Sequence, residues 1–220
     1  MEELFELNKY FPFVIIDPIV RNYIRHHLEH LQKCVENNLY SSAYPHLHII
    51  YMSFVYIQLL RIYREKEKEF KLCWAGMPDQ ENKFMKKPDS PFSFSEIKEK
   101  SIFRFFRIIG FDDSTISNFS SVVNGRNDVL HANGIIGCSS ESEFSIELSK
   151  YLRLMKSLKT MQLPFIQSTY ERLVCNFDND YLVTPDDIEI SFGTFSLAEM
   201  ELLIVNKNDV ISKYIKENII

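Results

Sequence analysis

Glycine and proline are scarce in this sequence, with 6 and 8 among 220 residues. Folds built only from strands use both residues freely in turns, so their scarcity argues against an all-β protein and favours long helices. Only four cysteines are present, widely spaced and without a Cys-x-x-Cys pair. This pattern excludes a disulfide scaffold and a cysteine-rich zinc site, and it is typical of reduced thiols in a cytoplasmic protein.

The sequence has no long apolar run of the kind that crosses a bilayer. Its most apolar stretch, residues 49–60, contains Ser53 and Gln58 and is followed by Arg61. That stretch is too short for a membrane span, so we interpret it as a buried core helix. The N-terminus is acidic rather than basic, which argues against a signal peptide. We therefore expect no membrane contact.

Negative charge is unevenly distributed along the chain, whose formal net charge is −5. Residues 178–220 hold 9 acids and 3 bases, a balance of −6, whereas the rest holds 21 acids and 22 bases, a balance of +1. The acidity thus belongs to the C-terminal part. A neutral main body is compatible with a local basic patch, so the net charge does not exclude a nucleic-acid ligand.

Apolar periodicity predicts an all-α fold for most of the chain. Residues 1–18 are expected to be extended, and residues 75–92 to form a loop with several lysines. The apolar spacing predicts helices over about 19–39, 41–69, 93–110, 112–133 and 140–177. Gly110 is expected to end the third of these helices, and Pro164 to kink or break the last.

The C-terminal tail differs in character from the helical body. Residues 182–183 and 188–192 are predicted to be two short strands, and Ser196 and Glu199 have the spacing of a capping box that opens a short helix. A last helix follows to Ile219. We therefore predict a helical domain over 1–177, with its core at about 19–177, and a small acidic appendage over 178–220.

One segment places chemically useful side chains close together. Arg126, Asn127 and His131 fall within one and a half turns of the fourth predicted helix. An arginine supplies fixed donors for a phosphate, and a histidine exchanges protons near neutral pH. Together they suffice for metal-free cleavage of RNA, in which the 2′-hydroxyl attacks the phosphorus. DNA lacks that hydroxyl, so such a site selects RNA.

The pattern Arg126-Asn127-x-x-x-His131, late in an all-helical protein, resembles the Rx4-6H motif of HEPN domains (higher eukaryotes and prokaryotes nucleotide-binding). Asparagine directly after the arginine is common in that family. The aromatic-rich helix predicted over 40–63 also resembles the buried helix that precedes the motif in HEPN proteins. The resemblance extends over residues 19–177 in layout and over 126–134 as a motif, and the tail has no counterpart.

The resemblance implies a HEPN-like helical bundle that acts as a homodimeric, metal-independent endoribonuclease in a toxin or antiviral role. Arg126 and His131 would be catalytic, and Asn127 would orient the site or contact phosphate. The resemblance also implies a further partner, a nucleotidyltransferase-like antitoxin. The alternative is a degenerate HEPN-like module that binds nucleotides or dimerises without catalysis.

Helix geometry favours a dimer on separate grounds. Five residues on a continuous helix separate Arg126 from His131 by about 140° of rotation and about 7.5 Å of rise. These two side chains flank the apolar stripe instead of lying side by side. Two copies facing each other across a two-fold axis would bring both pairs to one phosphate.

The motif also occurs elsewhere in the chain. Arg21 with His26 and Arg25 with His30 fit the same spacing, in the first predicted helix, where family members do not usually carry it. We therefore prefer the 126–131 copy. The competing interpretation is structural: His131 would favour the C-terminal end of its helix, and Arg126 would pair with an exposed acid.

Other polar residues have weaker claims to function. His26, His30 and Cys34 recur on one helix face, but three ligands along one helix span too much rise for one zinc ion. Two of them could bind zinc only with ligands from elsewhere in the chain, so we predict no metal site. Lys98, Arg104 and Arg107 are candidates for contacts with RNA phosphates, or a solvated face. His46 and His48 are expected to serve packing or capping. Phosphate-loop, GxSxG and HExxH motifs are missing, and no cofactor is expected.

Overall fold

The computed structural model describes residues 2–15, 17–76, 88–130, 137–178, 184–204, 207 and 210–218. Most of these residues are helical, and no strand occurs among them. The all-α class is confirmed. No helix in the described part of the chain is both long enough and apolar enough to cross a membrane.

The α-helices are named here in chain order. They are α1 (Glu2–Glu6), α2 (Pro18–Glu36), α3 (Tyr40–Glu65), α4 (Glu67–Ala75), α5 (Glu99–Ile102), α6 (Asp113–Leu130), α7 (Glu141–Met161), α8 (Leu163–Asp178), α9 (Pro185–Phe192), α10 (Leu197–Ile204) and α11 (Val210–Asn218). Short 3-10 helices cover Leu7–Tyr10, Pro91–Glu96 and Phe103–Ile109. Contacts within the chain define two compact units, Ile19–Tyr151 and Met1–Pro18 with Leu152–Ile220.

Helix α3 is the core of the unit formed by Ile19–Tyr151. It is buried on nearly every side, and it packs against α4, α6 and two 3-10 helices, Pro91–Glu96 and Phe103–Ile109. The Tyr51 hydroxyl donates to the Phe119 carbonyl of α6 at 3.1 Å, which fixes α6 on the central helix. The prediction of a buried core helix over 49–60 is confirmed.

Aromatic side chains fill the space between α4 and its neighbours. Phe70 and Phe105 stack with ring centroids 4.2 Å apart, and Trp74 and Phe94 lie against them. All four are almost fully buried. Aromatic rings bury large areas, so this cluster stabilises the short helical segments that carry it.

Two predicted helices are broken up in the structure. The helix predicted over 41–69 stops at Glu65, and α4 starts after a break at Lys66. The helix predicted over 93–110 consists of Pro91–Glu96, α5 and Phe103–Ile109. Extended backbone at Ile97 separates the first two pieces, because burial of Phe94 and Ile97 outweighs the helical period.

Gly110 ends the last of these pieces, as its position predicted. Its backbone is left-handed, with φ of 94°. We expect Gly110→Ala to destabilise the fold by about 1–2 kcal/mol, because a Cβ is disfavoured in that conformation although no atom lies within 4 Å of it. Urea unfolding measures this cost. Gly76→Ala is the matched control, since φ there is −82°, and it should cost less than about 0.5 kcal/mol.

The unit formed by Met1–Pro18 and Leu152–Ile220 has its own apolar core. The fully buried members of that core are Ile166, Tyr170, Phe192, Phe195, Met200, Leu203, Ile204 and Ile215. Phe13 and Val14 donate backbone hydrogen bonds to the Phe195 and Gly193 carbonyls, and residues 11–15 lie outside any helix. Residues 2–10, also predicted to be extended, are instead helical.

The strand predicted over 188–192 is wrong, because these residues lie in α9. Thr184 and Asp187 form a reciprocal cap at the start of that helix: the Thr184 backbone N–H donates to the Asp187 carboxylate at 3.0 Å, and the Asp187 N–H donates to the Thr184 hydroxyl at 3.2 Å. Residues 182–183, the other predicted strand, lie outside the described residues. The capping box of Ser196 and Glu199 is confirmed, with Ser196 N–H donating to the carboxylate at 2.7 Å.

Residues on both sides of the predicted domain boundary share this core. Ile166 and Tyr170 of α8 pack with Phe192 and Met200, which follow residue 178. The boundary predicted after residue 177 stays a prediction.

Candidate functional site

Helix α6 carries part of the predicted catalytic segment. Arg126 and Asn127 lie near its C-terminal end, and the helix runs unbroken through Asn124 and Gly125. His131 lies outside the described residues. The structure therefore shows the helix that carries Arg126 and Asn127, and the convergence of Arg126 and His131 stays a prediction.

The predicted RNA-binding residues lie on the chain that leads into α6. Lys98, Arg104 and Arg107 are all exposed, around α5 and the 3-10 helix Phe103–Ile109. Arg107 forms an ion pair with Asp113, in the first turn of α6. Part of its charge is therefore already balanced, whereas Lys98 and Arg104 project exposed cationic side chains. Their contact with RNA remains a prediction.

Four histidines form a cluster that the sequence did not predict as a unit. His26, His27 and His30 come from α2 and His46 from α3, and we call them the histidine cluster. Ring centroids are 4.1 Å apart for His26 and His30, 5.1 Å for His27 and His46, and 5.5 Å for His30 and His46. The Nδ1 atoms of His27 and His46 are 2.9 Å apart and share a hydrogen bond.

The surroundings of His27 and His46 disfavour protonation of these two rings. Partial burial, followed by the charges of His46, His26 and His30, lowers the pKa of His27 to about 4. Burial and the charges of His30 and His26 also lower the pKa of His46. One proton on this pair therefore makes a second proton unfavourable, and both rings are neutral at pH 7.

These lowered pKa values predict a loss of stability in mild acid. The unfolded chain protonates its histidines near pH 6.5, whereas folded His27 accepts a proton only near pH 4. Between those values the unfolded state binds more protons, so stability is complete above pH 6.5 and falls as the pH drops toward 4. Solvent reaches part of both rings, and we therefore expect a loss of about 1–2 kcal/mol.

Urea unfolding at pH 7 and pH 5 measures that loss. Carboxylates also titrate in this range, so the comparison that matters is between the wild-type chain and His27→Gln. The variant should lose less stability than the wild type over the same interval. An identical pH dependence for the two proteins would contradict the role given to His27.

The two early copies of the arginine–histidine motif meet at the histidine cluster. His26 and His30 belong to it, and the arginines Arg21 and Arg25 are exposed on α2. Arg25 is engaged locally, donating to the Asn22 side chain at 3.1 Å and lying 4.0 Å from the Glu29 carboxylate. The histidines of both copies therefore lie in the histidine cluster, whereas Arg25 makes its contacts along the surface of α2.

A second polar network, buried this time, joins three helices. The Nδ1 atom of His48 (α3) is 2.9 Å from the Tyr151 hydroxyl (α7), and its Nε2 atom is 3.2 Å from the Glu99 carboxylate (α5). A neutral imidazole that donates to Glu99 and accepts from Tyr151 satisfies both contacts. Burial, followed by the influence of Tyr44, raises the pKa of Tyr151, which stays protonated.

This network is structural rather than catalytic. Tyr151 is fully buried and His48 is 2% exposed, so substrate does not reach them. The network anchors α5 and α7 to the central helix. The packing role predicted for His48 thus agrees with its burial. The same role was predicted for His46, whose ring instead belongs to the histidine cluster.

Spacing along α2 already showed that His26 and His30 share a face. It could not identify His46, because which face of α3 meets α2 is decided by tertiary packing. The third residue of the sequence pattern, Cys34, is a free thiol. Among the described residues, no group of three or more histidine, cysteine or acidic side chains could hold a metal ion.

The chain was compared with models of protein families, with curated proteins and with solved structures, and none of them matches it. The resemblance to HEPN domains therefore rests on the residues of this chain alone.

Proposed function

We propose that this chain is a metal-independent endoribonuclease of HEPN type that cleaves single-stranded RNA. The observation that carries the proposal is the pattern Arg126-Asn127-x-x-x-His131, whose first two residues lie on the unbroken helix α6. The all-α fold is compatible with a HEPN-like bundle. Exposed Lys98 and Arg104 on the preceding segment offer positive charge to the RNA backbone.

The proposed chemistry is a transesterification. An imidazole of His131 takes the proton of the 2′-hydroxyl, and the resulting oxygen attacks the adjacent phosphorus. Arg126 stabilises the negative charge of the phosphorane-like transition state, and Asn127 orients the site or contacts phosphate. The 5′-oxygen leaves with a proton from a second imidazole, and a 2′,3′-cyclic phosphate remains.

A homodimer completes this site in the proposal. On a continuous helix Arg126 and His131 would be about 140° apart, so the partner copy supplies the second imidazole and guanidinium. The biological role proposed is that of a toxin or antiviral effector, with a nucleotidyltransferase-like antitoxin as its silencing partner.

The decisive assay incubates purified full-length protein with single-stranded RNA in the presence of EDTA. The expected result is cleavage that persists in EDTA and leaves 2′,3′-cyclic phosphate ends, with a DNA oligonucleotide of the same sequence left intact. Absence of cleavage, or cleavage that needs a divalent ion, would overturn the proposal. Binding of RNA or nucleotide without cleavage would instead favour the non-catalytic module.

A further inference from the structure

Two imidazole nitrogens from different helices face each other in the histidine cluster. The Nδ1 atoms of His27 in α2 and His46 in α3 are 2.9 Å apart, with one proton between them when both rings are neutral. Zinc holds imidazole nitrogens at about 2.0–2.1 Å, so two nitrogens bound to one ion lie about 2.9–3.4 Å apart. The pair therefore already has the spacing of two ligands of one ion.

Two further imidazoles border this pair. The ring of His30 stacks on that of His46, with centroids 5.5 Å apart and planes 13° from parallel, and His26 lies 4.1 Å from His30. His26 and His30 have the i, i+4 spacing that places two side chains on one helix face. Imidazole is a preferred ligand of zinc, copper and nickel.

The protonation state of the cluster suits metal ligation. A metal ion binds the neutral imidazole and competes with the proton for its nitrogen. The pKa of His27 is about 4 and that of His46 is also lowered, so both rings are neutral at pH 7. No three histidine, cysteine or acidic side chains of the described residues could hold an ion together, so the proposed site has two imidazole ligands, and water would complete its shell.

We propose that the histidine cluster binds one divalent transition-metal ion of the zinc type, held by the Nδ1 atoms of His27 and His46 once the proton that they share has moved to the Nε2 atom of the same ring. Such an ion would cross-link α2 to α3, with His30 of α2 as the imidazole that stacks on His46. The site is separate from the proposed cleavage of RNA, which uses no metal. Its presence therefore does not depend on that activity.

Calorimetric titration of zinc chloride into the chelator-washed full-length protein tests the proposal. We expect one ion per chain at pH 7 and a higher melting temperature with zinc. The double variant His27→Gln, His46→Gln should bind zinc at least tenfold more weakly. Circular dichroism of the variant without metal shows whether it folds, and His46→Gln alone serves if the double variant does not.

Cys34→Ser is the control, because Cys34 follows His30 by one helical turn on the same face. It should leave zinc affinity unchanged within twofold. Loss of binding in Cys34→Ser with retention in the histidine variants would move the site to α2 alone and overturn the assignment. Absence of binding in the wild type, or binding unaffected by removal of His27 and His46, would overturn the site itself.

Discussion

Replacement of Lys159 by methionine is expected to destabilise the protein by about 3–5 kcal/mol. The Lys159 ammonium in α7 lies 2.6 Å from the Glu199 carboxylate in α10, and the two side chains are 2% and 0% exposed. Methionine fills much of the same volume but removes the ammonium that faces the carboxylate. The hydrogen bonds that the carboxylate accepts from the Ser196 N–H and hydroxyl carry no compensating charge.

Urea unfolding at pH 7, followed by far-ultraviolet circular dichroism, measures this effect. Lys156→Met is the matched control, because Lys156 lies one turn earlier on α7 and is exposed, and it should change stability by less than about 0.5 kcal/mol. Adding Glu199→Gln to Lys159→Met should recover part of the loss, since glutamine keeps an oxygen for the cap without the charge. Equal costs for the two lysine variants would refute the buried ion pair.

Substitution of the predicted catalytic pair has the largest expected effect on activity. His131→Ala should lower the rate of RNA cleavage by about 10²–10⁴-fold, because it removes the proton-transfer group. Arg126→Ala should lower the rate by at least about 10²-fold through loss of transition-state stabilisation. Arg126→Lys should restore little, since an ammonium lacks the planar pair of donors that a phosphate accepts.

The early copies of the motif supply the control for that experiment. Arg21→Ala and His26→Ala change exposed residues of α2 with the same sequence spacing. On the proposed mechanism both variants keep wild-type cleavage rates. If instead His26→Ala abolishes cleavage while His131→Ala retains it, the catalytic assignment belongs to α2, and the choice of the later copy is wrong.

The sequence predicted the helices whose ends are set by local chemistry. Gly110 and the Ser196–Glu199 cap act within a few residues, so the helix ends that they set can be predicted from the sequence. Residues 188–192 alternate apolar and polar side chains as a strand does, yet the cap formed by Thr184 and Asp187 starts a helix there. The break at Ile97 could not be predicted, since it follows from burial of side chains against distant helices.

The candidate sites also differ in whether they depend on local sequence or on tertiary packing. The Arg126 motif is a pattern within one segment, and sequence alone is what reveals it. The histidine cluster depends on His46, which is sixteen residues beyond His30 and reaches it only because α2 and α3 pack together. His48 contacts Glu99 and Tyr151, which lie even farther away along the chain.

Pairing of residues 13–14 with 193–195 also has a bearing on biosynthesis. The segment that holds Phe13 is synthesised before Ile19–Tyr151, yet its backbone partners follow only after the whole of that unit has been made. Helix α3 and its neighbours can complete their core during translation, whereas Phe13 and Val14 must wait for their backbone partners. Synthesis of residues 193–215, rather than of residues 13–14, therefore sets when this second core can close.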